Sequence, residues 1–271
     1  MSILINGQAE SAIAVTDRGL QYGDGLFETI AVINGQCPLW DRHIRRLKQG
    51  CDRLSLTCPD EYLLLEEATK LVSNNRQAVL KIIITRGTGE RGYAYPLKSH
   101  TTRIMMCSAW PEFPVENTQT GIKVHLCATR LAQQPLLAGI KHLNRLEQVL
   151  ARNEWQDKTI AEGILLDQDD NVIEGTVSNL FLVNNGRLQT PDLSLSGVAG
   201  VMRDLILEQA SGLGIKTEIR KIRLEDVHRA DEVFVCNSVI GIWPVVDIQN
   251  QLINVGDVTR ELQRAVSCFY V

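Results

Sequence analysis

The 271-residue chain lacks several features that would have settled its class at once. It has no apolar run long enough to span a bilayer, so no membrane-spanning helix is expected. It has no surplus of base: the formal net charge is -4, with acids and bases interspersed. A basic stripe of the kind that neutralises phosphate backbones is therefore missing, and nucleic acid is not an expected partner. Seven cysteines are present, at positions 37, 51, 58, 107, 127, 236 and 268, but no Cys-x-x-Cys pair. The odd, scattered set fits free thiols in a reduced compartment better than a disulfide framework or a zinc site. The five histidines show no His-Glu-x-x-His and no i, i+4 pair, so no metal is expected. The start, Met1-Ser-Ile-Leu-Ile-Asn-Gly, has neither a charged leader nor a long apolar segment, which points to a cytoplasmic location.

What is there reads as two lobes, since about 150 residues is the usual size of a domain. Asn6-Gly7 and Asn34-Gly35 are flanked by apolar runs and predict hairpin turns. From Asp41 the period changes to that of a helix, with Ile44, Leu47, Cys51 and Leu54 on one face and Arg45, Lys48 and Asp52 on the other. A second helix is expected over 61–72, then strands over 79–85 and near 104–108. The aperiodic, proline-bearing stretch 110–120 is the natural boundary. The expected division is an N-terminal α+β domain 1–113, a linker 114–121 and a C-terminal domain 122–271. In the latter we expect a strand over 122–129, a helix over 144–156, three turn-linked strands between 161 and 189, a helix from about 200 and a strand over 232–236.

Gly87-Thr-Gly-Glu-Arg-Gly92 matches G-x-G-x-x-G and follows a strand. A dinucleotide turn must open a helix, however, and Tyr93-Ala-Tyr-Pro96 does not. The segment reads as a loop presenting Arg91 and Tyr93. Lys141, in Ala138-Gly-Ile-Lys-His-Leu-Asn-Arg145, lies in an apolar, glycine-bearing stretch just before a helix. Most lysines, roughly nine in ten, are solvated. A lysine that attacks a carbonyl needs partial desolvation to lower its pKa, and this neighbourhood offers it. Glu174 lies in Val172-Ile-Glu-Gly-Thr-Val-Ser-Asn-Leu180, where strand alternation puts Glu174, Thr176 and Ser178 on one face and Ile173 and Val177 on the other. An outward polar face would explain this, and so would an acceptor carboxylate for a protonated cofactor ring. Ser196-Gly-Val-Ala-Gly-Val-Met-Arg203 supplies a small-residue turn into a helix N-terminus, a place where anions bind. Arg46 and Ser238 are candidate side-chain partners for such an anion.

Taken in order, Tyr22-Gly-Asp-Gly-Leu-Phe27, His43-Ile-Arg-Arg-Leu47, Gly139-Ile-Lys141, Glu174-Gly-Thr-Val-Ser-Asn-Leu-Phe181, Gly200-Val-Met-Arg203 and Trp243-Pro-Val245 resemble the fold-type IV pyridoxal-phosphate enzymes. That family includes branched-chain and D-amino-acid aminotransferases and aminodeoxychorismate lyases. The resemblance implies a two-domain α+β fold, with a small α+β N-terminal domain, a larger C-terminal pseudo-barrel domain and the cofactor, pyridoxal 5'-phosphate, between them. It implies a homodimer. By the same resemblance Lys141 forms the imine, Glu174 faces the pyridine nitrogen, and Arg46, the backbone at Val201 and Met202, and Ser238 hold the phosphate. Ser178 and Asn179 join the cofactor-binding set.

Within the family, Gly139-Ile-Lys-His-Leu-Asn-Arg-Leu-Glu-Gln148 and Arg86-Gly-Thr-Gly-Glu-Arg-Gly-Tyr93 look most like the lyase branch, as does Thr29 at the end of Phe27-Glu-Thr29. Glu28 is more like the aminotransferases. The resemblance therefore implies loss of an enolpyruvyl ether from a small anionic substrate bearing an amine, with Lys141 as base, Thr29 as helper in proton transfer, and Arg91 and Tyr93 on the substrate. A D-amino-acid or branched-chain aminotransferase is the alternative.

Overall fold

The computed structural model describes residues 2–96 and 100–270. They form two compact units, Met1–Pro111 with Ile140–Asn144, and Glu112–Gly139 with Arg145–Val271. The segment Ile140–Asn144 therefore packs with the first unit, although its place in the chain is inside the expected C-terminal domain 122–271. The expected linker, 114–121, holds the short helix Glu116–Gln119, which packs against the strand Gly241–Ile248 of the second unit.

The first unit is a four-stranded antiparallel sheet in the order Ser2–Ile5, Thr102–Ala109, Gln77–Thr85, Gly25–Ile33. Along Gly25–Ile33, Leu26, Glu28, Ile30 and Val32 are buried, whereas Phe27 and Thr29 are half-buried on the opposite face. The period of two in a strand sets this division. The helix Trp40–Leu54 packs on that strand through His43, Ile44, Leu47, Gly50 and Cys51, the helical spacing expected from the sequence. The helix Glu61–Val72 begins at Asp60, whose Oδ1 accepts from the N–H groups of Tyr62 and Leu63 at 2.9 and 3.1 Å. Asn6-Gly7 and Asn34-Gly35 do adopt left-handed turn conformations. Their return arms are single bridges, Ile5 to Gln8 and Ile33 to Gln36, rather than strands. The apolar run before each turn finds better partners elsewhere in the sheet, and the polar residues after it have none to offer.

The second unit is built on a sheet that closes on itself. Six strands run in the cycle Asn179–Asn184, Glu232–Asn237, Gly241–Ile248, Ile122–Leu131, Ile160–Asp167, Asn171–Gly175 and back to Asn179–Asn184. The closing contact pairs Glu174 with Asn179. Val124, Ile164, Leu166, Leu180, Leu182, Val233, Val235, Trp243 and Val245 fill one core cluster. Four strands, not three, lie between residues 160 and 191, because the segment expected as one strand over 172–180 breaks at Thr176-Val177-Ser178. The helix expected over 144–156 is confined to Leu146–Arg152. Among the described residues, no helix is long and apolar enough to cross a membrane.

Candidate active site

In the first unit, backbone pairing with the strand Gly25–Ile33 fixes Lys141: Phe27 N–H donates to the Lys141 carbonyl at 2.9 Å, and Leu143 N–H to the Gly25 carbonyl at 3.0 Å. This short pairing explains why the helix does not begin at Asn144. Nζ of Lys141 lies 4.4 Å from the centre of the Phe27 ring. A second ammonium, Lys81, stands 5.1 Å from the same ring, and Lys81 is the register partner of Thr29. Thr29, Phe27, Lys81 and Lys141 thus mark one half-buried face of the sheet. In the sequence, Lys81 is marked only as a lone base in an apolar strand.

The opposite face of the same strand carries Glu28, 1 % exposed. Its Oε2 is 2.7 Å from His43 Nδ1, and Arg46 donates from Nε to Oε1 at 2.9 Å and from Nη2 to Oε2. Burial raises the Glu28 pKa, but the Arg46 charge and the hydrogen bonds from His43 and Arg46 outweigh it and hold the carboxyl at about 2. Burial lowers the pKa of His43 despite Glu28, so the ring is neutral near pH 7. The loop after the strand Gln77–Thr85 is fastened from beneath. Asp24 accepts from Arg18 Nε at 2.9 Å and Arg86 Nε at 2.8 Å, and Arg18 donates onward to the carbonyls of Gly92 and Tyr93 at 2.9 and 3.1 Å. Tyr93 packs edge-on to Tyr22 at 5.4 Å and is 84 % exposed; Arg91 is exposed as well. No helix comes directly after Gly92, so the glycines here are not a dinucleotide turn.

In the second unit, Glu174 is buried, with Oε2 accepting from the Val198 N–H at 2.8 Å and Gln148 Nε2 donating to Oε1 at 3.4 Å. Glu174 also raises the pKa of Arg145 electrostatically, against the lowering by burial. The turn 196–200 reaches Glu174 because Gly197 sits at φ +80°, where a Cβ would meet Ile173 Cγ2 at 2.7 Å. The turn is tied to Gly139 by Gly139 N–H to the Gly197 carbonyl at 2.9 Å and Ala199 N–H to the Gly139 carbonyl at 3.0 Å. Gly200 then stands at the N-cap of the helix Val201–Gly212 and, being glycine, gives it no side-chain cap. A Cβ at Gly200 would lie 2.0 Å from Asn179 Oδ1. An uncapped helix start in a turn too tight for side chains, with the half-buried Ser238 in the same unit, suits an anionic ester.

The alternation expected along 172–180 is not found. Ile173 is buried while Val177 is 70 % exposed, and Thr176 and Ser178 turn onto Glu162, a residue that belongs to none of the sequence motifs. Glu162 accepts from five donors: the N–H groups of Gly163, Thr176 and Val177 at 2.8, 3.1 and 3.2 Å, the Ser178 hydroxyl at 2.8 Å, and the Thr176 hydroxyl. An ionised carboxylate offers about four acceptor sites, and this concentration of donors bends the chain where β pairing would have continued it. Ser178 therefore donates its hydroxyl to Glu162, and Asn179 donates Nδ2 to the Val198 carbonyl at 2.9 Å. The one available signal was an acid beside a glycine within the apolar stretch that precedes Asp167. Glu162→Ala is expected to lower Tm in calorimetry by roughly 5–10 °C, since its buried donors lose their acceptor at a cost of about 3 kcal/mol. A Tm within a degree of wild type would refute this role.

Residues 25–248 match the family described as Amino-transferase class IV. The fold is similar to that of 4-amino-4-deoxychorismate lyase from Pseudomonas aeruginosa, with a TM-score of 0.95, 47% identity and 98% of each chain covered. In sequence the chain is 37% identical to the aminodeoxychorismate lyase of Vibrio harveyi, over 96% of this chain and 97% of that one. It is 28% identical to the D-alanine aminotransferase of Bacillus licheniformis, over 98% and 96%.

Proposed function

Because the chain belongs to the class IV aminotransferase family, whose members carry pyridoxal phosphate, we propose that it is an aminodeoxychorismate lyase, forming 4-aminobenzoate and pyruvate from 4-amino-4-deoxychorismate. The observation that carries the reading is the near full-length likeness to two lyases, at 47% and 37% identity, against 33% for a putative branched-chain-amino-acid aminotransferase of Methanocaldococcus jannaschii and 28% for the D-alanine aminotransferase. When bound, the cofactor supplies an electron sink for the pair released as a C–H bond beside the substrate nitrogen breaks and the neighbouring enolpyruvyl ether departs.

The groups of the chain divide that task. Lys141 Nζ is the amine that would hold the cofactor through its aldehyde, and when free it would be the base that takes up the substrate's ring proton. Nζ lies over the ring of Phe27, and the ammonium of Lys81 stands by the same ring. Thr29, on that face, assists the proton transfer. Glu174 would accept from the ring nitrogen of the cofactor, and its hydrogen bond from Val198 keeps it oriented. Arg46, Ser238 and the N–H groups of Val201 and Met202 bind the phosphate. Ser178 and Asn179 contribute by holding the turns on which Glu174 and Gly200 lie. Arg91 takes a substrate carboxylate through a charge-assisted contact, with Tyr93 beside it.

The chain acts in the cytoplasm as a homodimer. Leu146, Val149 and Leu150 form an exposed apolar row on the helix Leu146–Arg152 and are the residues we assign to association.

The test is to supply the purified protein and pyridoxal phosphate with enzymatically generated aminodeoxychorismate, without any keto acid, and to measure both products. Equal release of pyruvate and 4-aminobenzoate over many turnovers is expected. Turnover that appears only when 2-oxoglutarate is added would overturn the lyase reading in favour of an aminotransferase.

A further inference from the structure

We propose that Glu28, braced by His43, is a positioning residue for phosphate recognition: it fixes the plane and direction of the Arg46 guanidinium. The inference rests on the reading of Arg46 as a phosphate ligand. His43 and Arg46 are three residues apart on the helix Trp40–Leu54, and so project from one side of it toward the strand that carries Glu28. Two-point attachment to a planar guanidinium determines both its position and its plane, which a single contact does not.

Glu28 is ionised and can only accept, so His43 must donate from Nδ1. That contact, at 2.7 Å on Oε2, restrains the carboxylate from turning with the arginine. His43 Nε2 is then the unprotonated nitrogen, and it is buried with no hydrogen-bond partner among the described residues. A buried charged pair is a poor way to stabilise a core when an apolar residue could fill the space. The neighbouring positions on the same strand face, Leu26 and Ile30, are apolar. An acid among them, engaged by an arginine at the other end, is better explained by what it does for that arginine.

Charge and orientation predict opposite outcomes, and this makes the idea testable. Glu28 partly cancels the Arg46 charge, so a role in electrostatics alone would mean that removing its charge strengthens phosphate binding. A positioning role means that it weakens it. The experiment titrates apoprotein with pyridoxal phosphate and with pyridoxal, which lacks the phosphate, and takes the ratio of the two dissociation constants. Wild type, Glu28→Gln, Arg46→Gln and Arg46→Lys are compared, with folding checked by circular dichroism.

Arg46→Gln is expected to reduce the preference for the phosphorylated compound, and Glu28→Gln to reduce it by about ten-fold or more. An unchanged or increased preference in Glu28→Gln, with a reduced one in Arg46→Gln, would overturn the proposal and leave the Arg46 reading intact. An unchanged preference in Arg46→Gln would overturn that reading and the proposal with it. Should Glu28→Gln fail to fold, Arg46→Lys decides: it keeps the charge and loses the fork, so a retained preference overturns the proposal and a lost one supports it.

Discussion

Lys141→Ala folds as wild type does, loses borohydride-stable attachment of pyridoxal phosphate, and turns over aminodeoxychorismate at least about a thousand-fold more slowly. The expectation of a normal fold follows from how the residue is held. The bonds that place it run from Phe27 N–H to its own carbonyl and from Leu143 N–H to the Gly25 carbonyl. Neither involves the side chain, so alanine keeps the backbone where it is. What alanine removes is the amine near the Phe27 ring, the group proposed above both as the point of attachment and as the base. Losing two roles that act in sequence costs no more than losing the reaction once, and the effects of a second change at Thr29 should not multiply with it. The readouts are the visible absorption of the bound cofactor, mass spectrometry after borohydride reduction, and product release. Retention of a reducible adduct in Lys141→Ala would show that another amine carries the cofactor and would remove the central assignment.

The second large effect is expected at Glu174. Glu174→Gln is close to isosteric, and its amide oxygen can still accept from Val198 N–H, so the turn 196–200 keeps its bond. A neutral amide does not hold a proton on the ring nitrogen as a carboxylate does. The cofactor should therefore still attach to Lys141 while kcat falls about 100- to 1,000-fold, the range seen when one preorganised electrostatic group is removed from a transition state. KM should change far less, because Arg91 and Tyr93, the residues assigned to the substrate, are unaltered. A variant with wild-type kcat would mean that the ring nitrogen has another partner or that its protonation does not limit the reaction.

Much of this was legible from the chain alone because the signals were local. The helix Trp40–Leu54 shows its buried face in a spacing of three and four, and the helix expected over 61–72 is found as Glu61–Val72. Gly87 to Gly92 could be rejected as a dinucleotide turn because Pro96 lies where the first turns of a helix would have to form. Lys141, Glu174, Arg46 and Gly200 stood out only together, as motifs in a fixed order, since each alone has an ordinary surface explanation.

Long-range partnership was not legible. Thr176 and Ser178 look like one face of a strand until Glu162, at least fourteen residues earlier, draws both onto a single carboxylate. Glu28 looks like a departure from the lyase pattern until His43 and Arg46 are found on it, from a separate helix. The sequence by itself determined the periodic elements, the chemistry-bearing residue types and their order, because propensity, capping and turn preferences act over a few residues. Tertiary structure alone decided which face of the strand Gly25–Ile33 received Thr29 and which received Glu28. It also decided where the strand after Asn171 ends, and that Ile140–Asn144 joins the first unit rather than the second. Those outcomes depend on buried donors and acceptors finding partners far away in the chain, a requirement that is strict in a low-dielectric interior and leaves no mark on the local pattern.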